Sequence, residues 1–161
     1  MTSTGLEHGK PHGELVVVVA TGGTIAQSGS RTATADVPSL VAASWAEGPV
    51  ESVQPFQVTS PNIEPSHWVT LSKHIVNQLK REDVAGIVVT HGTDTLEETA
   101  FFLDLTVRSK KPAVMVGAMR LANSSESNGE MNLRDGISLA SSKKALGHGV
   151  LVVLNGEIRS S

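Results

Sequence analysis

The chain contains no cysteine and no tyrosine. Zero cysteine excludes disulfides, thiol catalysis and thiolate-held zinc. The aromatics number two Trp and three Phe (Trp45, Trp68, Phe56, Phe101 and Phe102), so the core must be aliphatic and little is available to stack on bases. Excess positive charge is missing too. Lys and Arg total 13 against 16 Asp and Glu, a net charge of −3, and the pairs Lys110-Lys111 and Lys143-Lys144 read as solvated helix ends. No nucleic-acid partner is expected from that balance. The longest apolar run, Leu15–Ala20, is far short of the ~20 residues that a membrane span requires. Met1–Glu14 is polar, without the apolar stretch of a secretory signal. The composition therefore reads as a soluble, cytoplasmic chain with no membrane partner. Its six His residues show no metal-ligand spacing, so no metal is expected.

The 161 residues fit about one domain. Met1–Gly13, rich in Gly, Pro and polar residues, reads as a flexible arm, and residues 14–161 as the domain. Leu15–Ala20 is a continuous β-branched run of the kind found in strands buried on both faces. Ser52–Val58, Gly86–Thr90, Ala113–Gly117 and Gly149–Leu154 resemble it. Helical patterns lie between them at Pro38–Glu47, Pro65–Glu82, Asp94–Ser109 and Met131–Ala145. Pro38 and Pro65 suit a first helical turn, and Asp94-x-x-Glu97 has capping-box spacing. Trp68, Leu71, Ile75, Val76 and Leu79 share one helical face. The alternation predicts an α/β fold, a doubly wound and mainly parallel sheet with helices on both faces. Two polar stretches, Thr21–Asp36 and Leu121–Glu130, are too long for ordinary connections of roughly 2–6 residues and read as functional loops.

Three segments fall at predicted carboxyl ends of strands, where open α/β sheets bind ligands. They are Thr21-Gly22-Gly23-Thr24, His91-Gly92-Thr93-Asp94-Thr95 and Gly117-Ala118-Met119-Arg120. Gly22-Gly23 permits a tight turn and close backbone approach. Free N–H groups around Thr93 and Asp94 could stabilise an oxyanion, and the Asp94 carboxylate could hold an ammonium. The plainer readings make Asp94 a helix N-cap, Gly22-Gly23 a structural turn, and His91 a hydrogen-bonded strand-end residue. Arg120 suits a carboxylate or a structural hydrogen bond equally well. A nucleotide site does not fit, because a long loop rather than a helix follows the glycines and no Walker lysine is present.

Taken in order, Ala20-Thr21-Gly22-Gly23-Thr24-Ile25-Ala26, Thr90-His91-Gly92-Thr93-Asp94-Thr95-Leu96-Glu97-Glu98-Thr99-Ala100 and Lys111–Arg120 resemble the bacterial-type L-asparaginases. Asn132-Leu133 and Gly149–Asn155 continue the likeness, which runs from about Leu15 to Ser161. It covers the amino-terminal domain only and lacks the family's second, smaller domain. The resemblance implies an amidohydrolase that converts L-asparagine to L-aspartate and ammonia, with minor glutaminase activity and no cofactor. It assigns Thr24 as the acylated nucleophile, Thr93 as the second reactive threonine, and Asp94 as the partner of the substrate's α-amino group. Ser60 matches a residue binding the α-carboxylate. Gly92 and Ala118 line the substrate site. A homo-oligomer is implied as well.

The likeness has gaps. The family's proton-relaying Tyr would fall near Val37, and its catalytic Lys a few residues beyond Ser161. Pro61 replaces a substrate-binding Gln, Asn128 an Asp, and Leu121 a Pro. Low turnover or a high KM is expected on that account, with Ser28, Ser30, Thr32, Thr34 or a neighbouring subunit supplying the relay. The alternative is a non-catalytic asparagine- or aspartate-binding domain, or an inactive fragment of a longer enzyme.

Overall fold

The computed structural model describes residues 14–22, 48–117 and 128–161. The expected arm, the helix over Pro38–Glu47 and most of both long loops lie outside them. Six strands form one sheet: β1 (Leu15–Ala20), β2 (Val50–Val53), β3 (Val84–Thr90), β4 (Ala113–Val116), β5 (Val150–Leu154) and β6 (Glu157–Ser160). Their order is β2-β1-β3-β4-β5-β6, parallel except for β6. Three helices are described: α1 (Pro65–Leu79), α2 (Leu96–Thr106) and α3 (Gly129–Ser141). The α/β class and the mainly parallel sheet agree with the sequence.

Residue alternation along the strands sorts the core into two layers. Val17, Val19, Ile87, Val89 and Met115 meet Leu71, Ile75 and Leu79 of α1 and Leu96, Ala100 and Leu103 of α2. Val16, Val18, Val88, Val114 and Val116 meet Leu133, Ile137 and Ala140 of α3. Burial on both sides is why these strands read as unbroken aliphatic runs rather than as an alternating pattern.

The connections through α1, α2 and α3 all step across the sheet in one direction, yet α3 lies on the other face. Successive crossovers that step the same way share a hand only when they share a face. The α3 crossover therefore has the opposite hand to those of α1 and α2, against the strong general preference for right-handed crossovers. One consequence is that α3, which follows β4, packs on the face opposite α2, which follows β3.

Three local readings need correction. Strand β2 ends at Val53, short of the expected Val58. Pro55 has no N–H to give a ladder, and the chain leaves the sheet before it. The capping box at Asp94-x-x-Glu97 does not form: residues Thr93–Thr95 make a 3-10 turn, and α2 starts at Leu96 with Thr95 as its N-cap. A capping box occurs on α1 instead, where the Glu64 N–H donates to His67 Nδ1 at 3.1 Å and the Glu64 side chain accepts from the His67 backbone. Strand β6 was not expected. Its signal is Asn155-Gly156, whose φ values of 53° and 75° give the left-handed pair that a two-residue hairpin needs.

Leu133 anchors α3 to the sheet and is fully buried. Leu133→Ala should lower unfolding free energy by about 2–5 kcal/mol. Urea denaturation should show this as a lower midpoint at unchanged slope.

Candidate active site

Strands β1 and β3 are neighbours whose onward connections depart to opposite sides, β1 to β2 and β3 to β4. Such a switch point leaves a crevice at the strands' carboxyl ends. Thr21 closes its floor. The Thr21 hydroxyl donates to the Thr90 carbonyl at 2.8 Å, and the Thr21 carbonyl accepts from the Val58 N–H at 2.9 Å. The first threonine of the Thr21–Thr24 motif is thus a buried latch. At Gly22 the backbone takes φ 108°, and a Cβ would stand 2.6 Å from the Val58 carbonyl oxygen, so only glycine fits there.

Ser60 opens a 3-10 turn over Ser60–Asn62 and is buried. Its hydroxyl donates to Asp94 Oδ2 at 2.8 Å, while the Thr95 hydroxyl donates to the Ser60 carbonyl at 3.0 Å. These two bonds tie the segment after β2 to the segment after β3. Gly92 makes the approach possible, since a Cβ there would lie 2.3 Å from Ser60 Oγ. Asp94 is not the N-cap; its carboxylate is exposed, and one of its oxygens is oriented by Ser60. Thr93 beside it is half-buried. An oriented, water-facing carboxylate can take an ammonium through a charge-assisted hydrogen bond.

Beneath this surface a neutral chain of hydrogen bonds fixes the exit of β3. His91 is fully buried, with Nδ1 2.7 Å from the Gly92 carbonyl oxygen and Nε2 3.1 Å from the Thr99 hydroxyl. A carbonyl can only accept, so Nδ1 carries the proton and Nε2 accepts from Thr99. Thr99 in turn accepts from the Trp68 indole N–H at 2.9 Å. Burial pushes the His91 pKa down, outweighing the opposing hydrogen bond to Gly92 and the charge of Glu98. His91 is thus the hydrogen-bonded strand-end residue that the plainer reading expected.

The structure brings together Ser60, Gly92, Thr93 and Asp94; Thr24, Ala118 and Arg120 lie outside the described residues. Sequence reasoning placed Trp68 on one helical face with Leu71, Ile75, Val76 and Leu79 and did not single out Thr99. The available signal was one hydroxyl within the buried stripe Leu96, Thr99, Ala100 and Leu103. Among the described residues no group of three His, Asp or Glu side chains could hold a metal ion. No helix among them is long and apolar enough to cross a membrane.

The buried polar contacts of the site make stability sensitive to pH and to loss of a partner. Because folding favours neutral His91, its contribution is complete above the unfolded value of about 6.5 and is lost as pH falls below it. His91→Gln, which keeps a donor and an acceptor, should flatten the fall in urea midpoint between about pH 7 and pH 5. Separately, Ser60→Ala removes a hydrogen bond to a charged group and should cost about 1.5–3 kcal/mol in the same assay.

Comparison with known proteins places these residues in context. A family model described as "Asparaginase, N-terminal" matches residues 15–161. L-asparaginase 2 of Bacillus subtilis is 43% identical over 155 residues, which cover 89% of this chain and 41% of that protein. Glutaminase-asparaginase of Acinetobacter glutaminasificans is 39% identical over 154 residues, covering 89% of this chain and 46% of that protein. The crystal structure of a probable cytoplasmic L-asparaginase from Campylobacter jejuni superposes with a TM-score of 0.85 at 35% identity, over 91% of this chain and 48% of that one. The chain spans less than half the length of each of these proteins.

Proposed function

The chain belongs to the asparaginase family, and on that premise we propose that it hydrolyses L-asparagine to L-aspartate and ammonia by way of a threonine ester. The observation that carries this reading is the 2.8 Å bond from Ser60 Oγ to Asp94 Oδ2 beside Thr93, at the sheet's switch point. An amino acid offers an ammonium and a carboxylate a fixed distance apart. Asp94 takes the first, and Ser60, its hydroxyl turning from Asp94 to the substrate, takes the second with neighbouring backbone N–H groups. The side-chain amide is then left to extend toward Thr93 and the segment that carries Thr24.

In the proposed reaction Thr24 Oγ1 attacks the amide carbon, forming a C–O bond as the C–N bond breaks. The hydroxyl proton passes to the departing nitrogen, which leaves as ammonia. Water then cleaves the β-aspartyl ester, releasing aspartate and restoring the hydroxyl. Thr93 and its backbone N–H stabilise the oxygen that gains charge. A threonine hydroxyl is a weak nucleophile and needs a proton acceptor. Ser28, Ser30, Thr32, Thr34 or a second subunit in a homo-oligomer fills that role here. The family resemblance assigns Gly92 to substrate binding and Ala118 to the amide pocket, minor glutaminase activity accompanies the main one, and no cofactor takes part.

A second reading is favoured by one observation, the absence of tyrosine from the whole sequence. It makes the chain a non-catalytic asparagine- or aspartate-binding domain. Ammonia release from L-asparagine separates the two. Thr24→Ala should lower kcat by at least about 10³-fold, as nucleophile loss does elsewhere. Asp94→Asn keeps an acceptor for Ser60 but loses the charge, and should raise KM about 10–100-fold. Wild-type protein that binds aspartate calorimetrically yet releases no ammonia would establish the binding reading. Full activity in Thr24→Ala would overturn the assignment of the nucleophile.

A further inference from the structure

Asn132 sits in the first turns of α3, on the face of the sheet opposite α1 and α2, with its side chain fully buried. Its Oδ1 accepts from the backbone N–H of Asn155 at 2.9 Å, and its Nδ2 donates to the Gly117 carbonyl at 2.7 Å. The amide orientation is unambiguous, because a backbone N–H only donates and a carbonyl only accepts. Asn155 is the left-handed first residue of the β5–β6 turn, and Asn128 Nδ2 also donates to its side-chain oxygen. Gly117 is the residue after β4. A Cβ on it would lie 3.0 Å from Thr93 Cγ2 and 2.9 Å from Leu96 Cδ1, so Gly117 forms a wall against Thr93. The preceding carbonyl, that of Val116, accepts from the His91 N–H at 2.9 Å.

We propose that Asn132 is a positioning residue for the site: by holding the Gly117 carbonyl it fixes the wall on which Thr93 rests. The inference deepens the reading of Thr93 as part of an amide-hydrolysing site and rests on it. A residue needed only for packing at this depth could be apolar. An amide that donates to one strand end and accepts from the next couples the exits of β4 and β5. An apolar side chain cannot do this, and Asn132→Leu would take this partner from the buried Gly117 carbonyl and from the Asn155 N–H.

The discriminating variant is Asn132→Asp. When protonated, the new carboxyl can still accept from Asn155 and donate to Gly117. When ionised, it faces the Gly117 carbonyl with a second acceptor and pushes it away. Burial raises the pKa of a carboxyl, bringing this change into a workable pH range. Ammonia release should match wild type at low pH. As pH rises, kcat should fall about 10–100-fold relative to wild type at the same pH, with KM changing little. The Thr93 amide resonance in a heteronuclear NMR spectrum should titrate in step, and thermal unfolding should show a folded protein throughout. A kcat ratio and a Thr93 resonance that ignore pH would overturn the proposal. Loss of fold over the same pH range would overturn it too, by showing a merely structural role. If wild type releases no ammonia, the enzyme reading fails, while the Thr93 titration still decides whether Asn132 positions that residue.

Discussion

Strand β3 is buried along all seven residues, and the rest of the structure depends on that burial. Its edges pair with β1 and β4, and its faces are covered by α1 and α2 on one side and α3 on the other. A strand so enclosed must satisfy its backbone groups within the sheet, because water cannot reach them. Past an irregularity at Ala85 the ladder with β1 runs in register from Gly86 to Thr90, and the chain emerges at one defined point. His91, Gly92, Thr93 and Asp94 occupy that exit, at the end of a strand buried along its whole length.

Around the exit, buried groups are neutral and the exposed one is charged. His91, Thr99 and Trp68 form a directional chain in which each member donates to the next acceptor. Asp94, which a substrate ammonium would meet, faces solvent. Neutral networks can be enclosed once their hydrogen bonds are made, whereas an isolated buried carboxylate carries a large desolvation penalty. The opposite hand of the α3 crossover completes the arrangement. It brings Asn132 to the strand ends from the face that α1 and α2 leave uncovered, so the exit is held from both sides.

Much of this was legible in the sequence. The aliphatic runs marked β1, β3, β4 and β5, because strands buried on both faces show no polar alternation. Leu71, Ile75 and Leu79 marked the buried face of α1. The segments Thr21–Thr24 and His91–Thr95 stood out as polar, glycine-bearing stretches directly after those runs. The role of Asp94 was harder to read. An acidic residue at the start of a helix is ordinarily an N-cap, and only the approach of Ser60, 34 positions earlier, diverts its carboxylate. Strand β6 escaped because its four residues are all exposed and show no apolar pattern, although the Asn155-Gly156 turn announced it.

By itself the sequence determined the class of fold and marked the glycine-flanked polar segments that follow the strands, since both follow from local residue order: hydrophobic runs, helical spacing and the turns between them. Tertiary structure decided which groups meet. Thr95 touches Ser60 across 35 positions, Trp68 touches Thr99 across 31, and Asn132 spans 15 to Gly117 and 23 to Asn155. Side-chain hydrogen bonds act over about 3 Å and leave no periodic trace along a chain. They become visible only when the sheet sets the strand ends side by side and the crossovers choose the face from which each helix arrives.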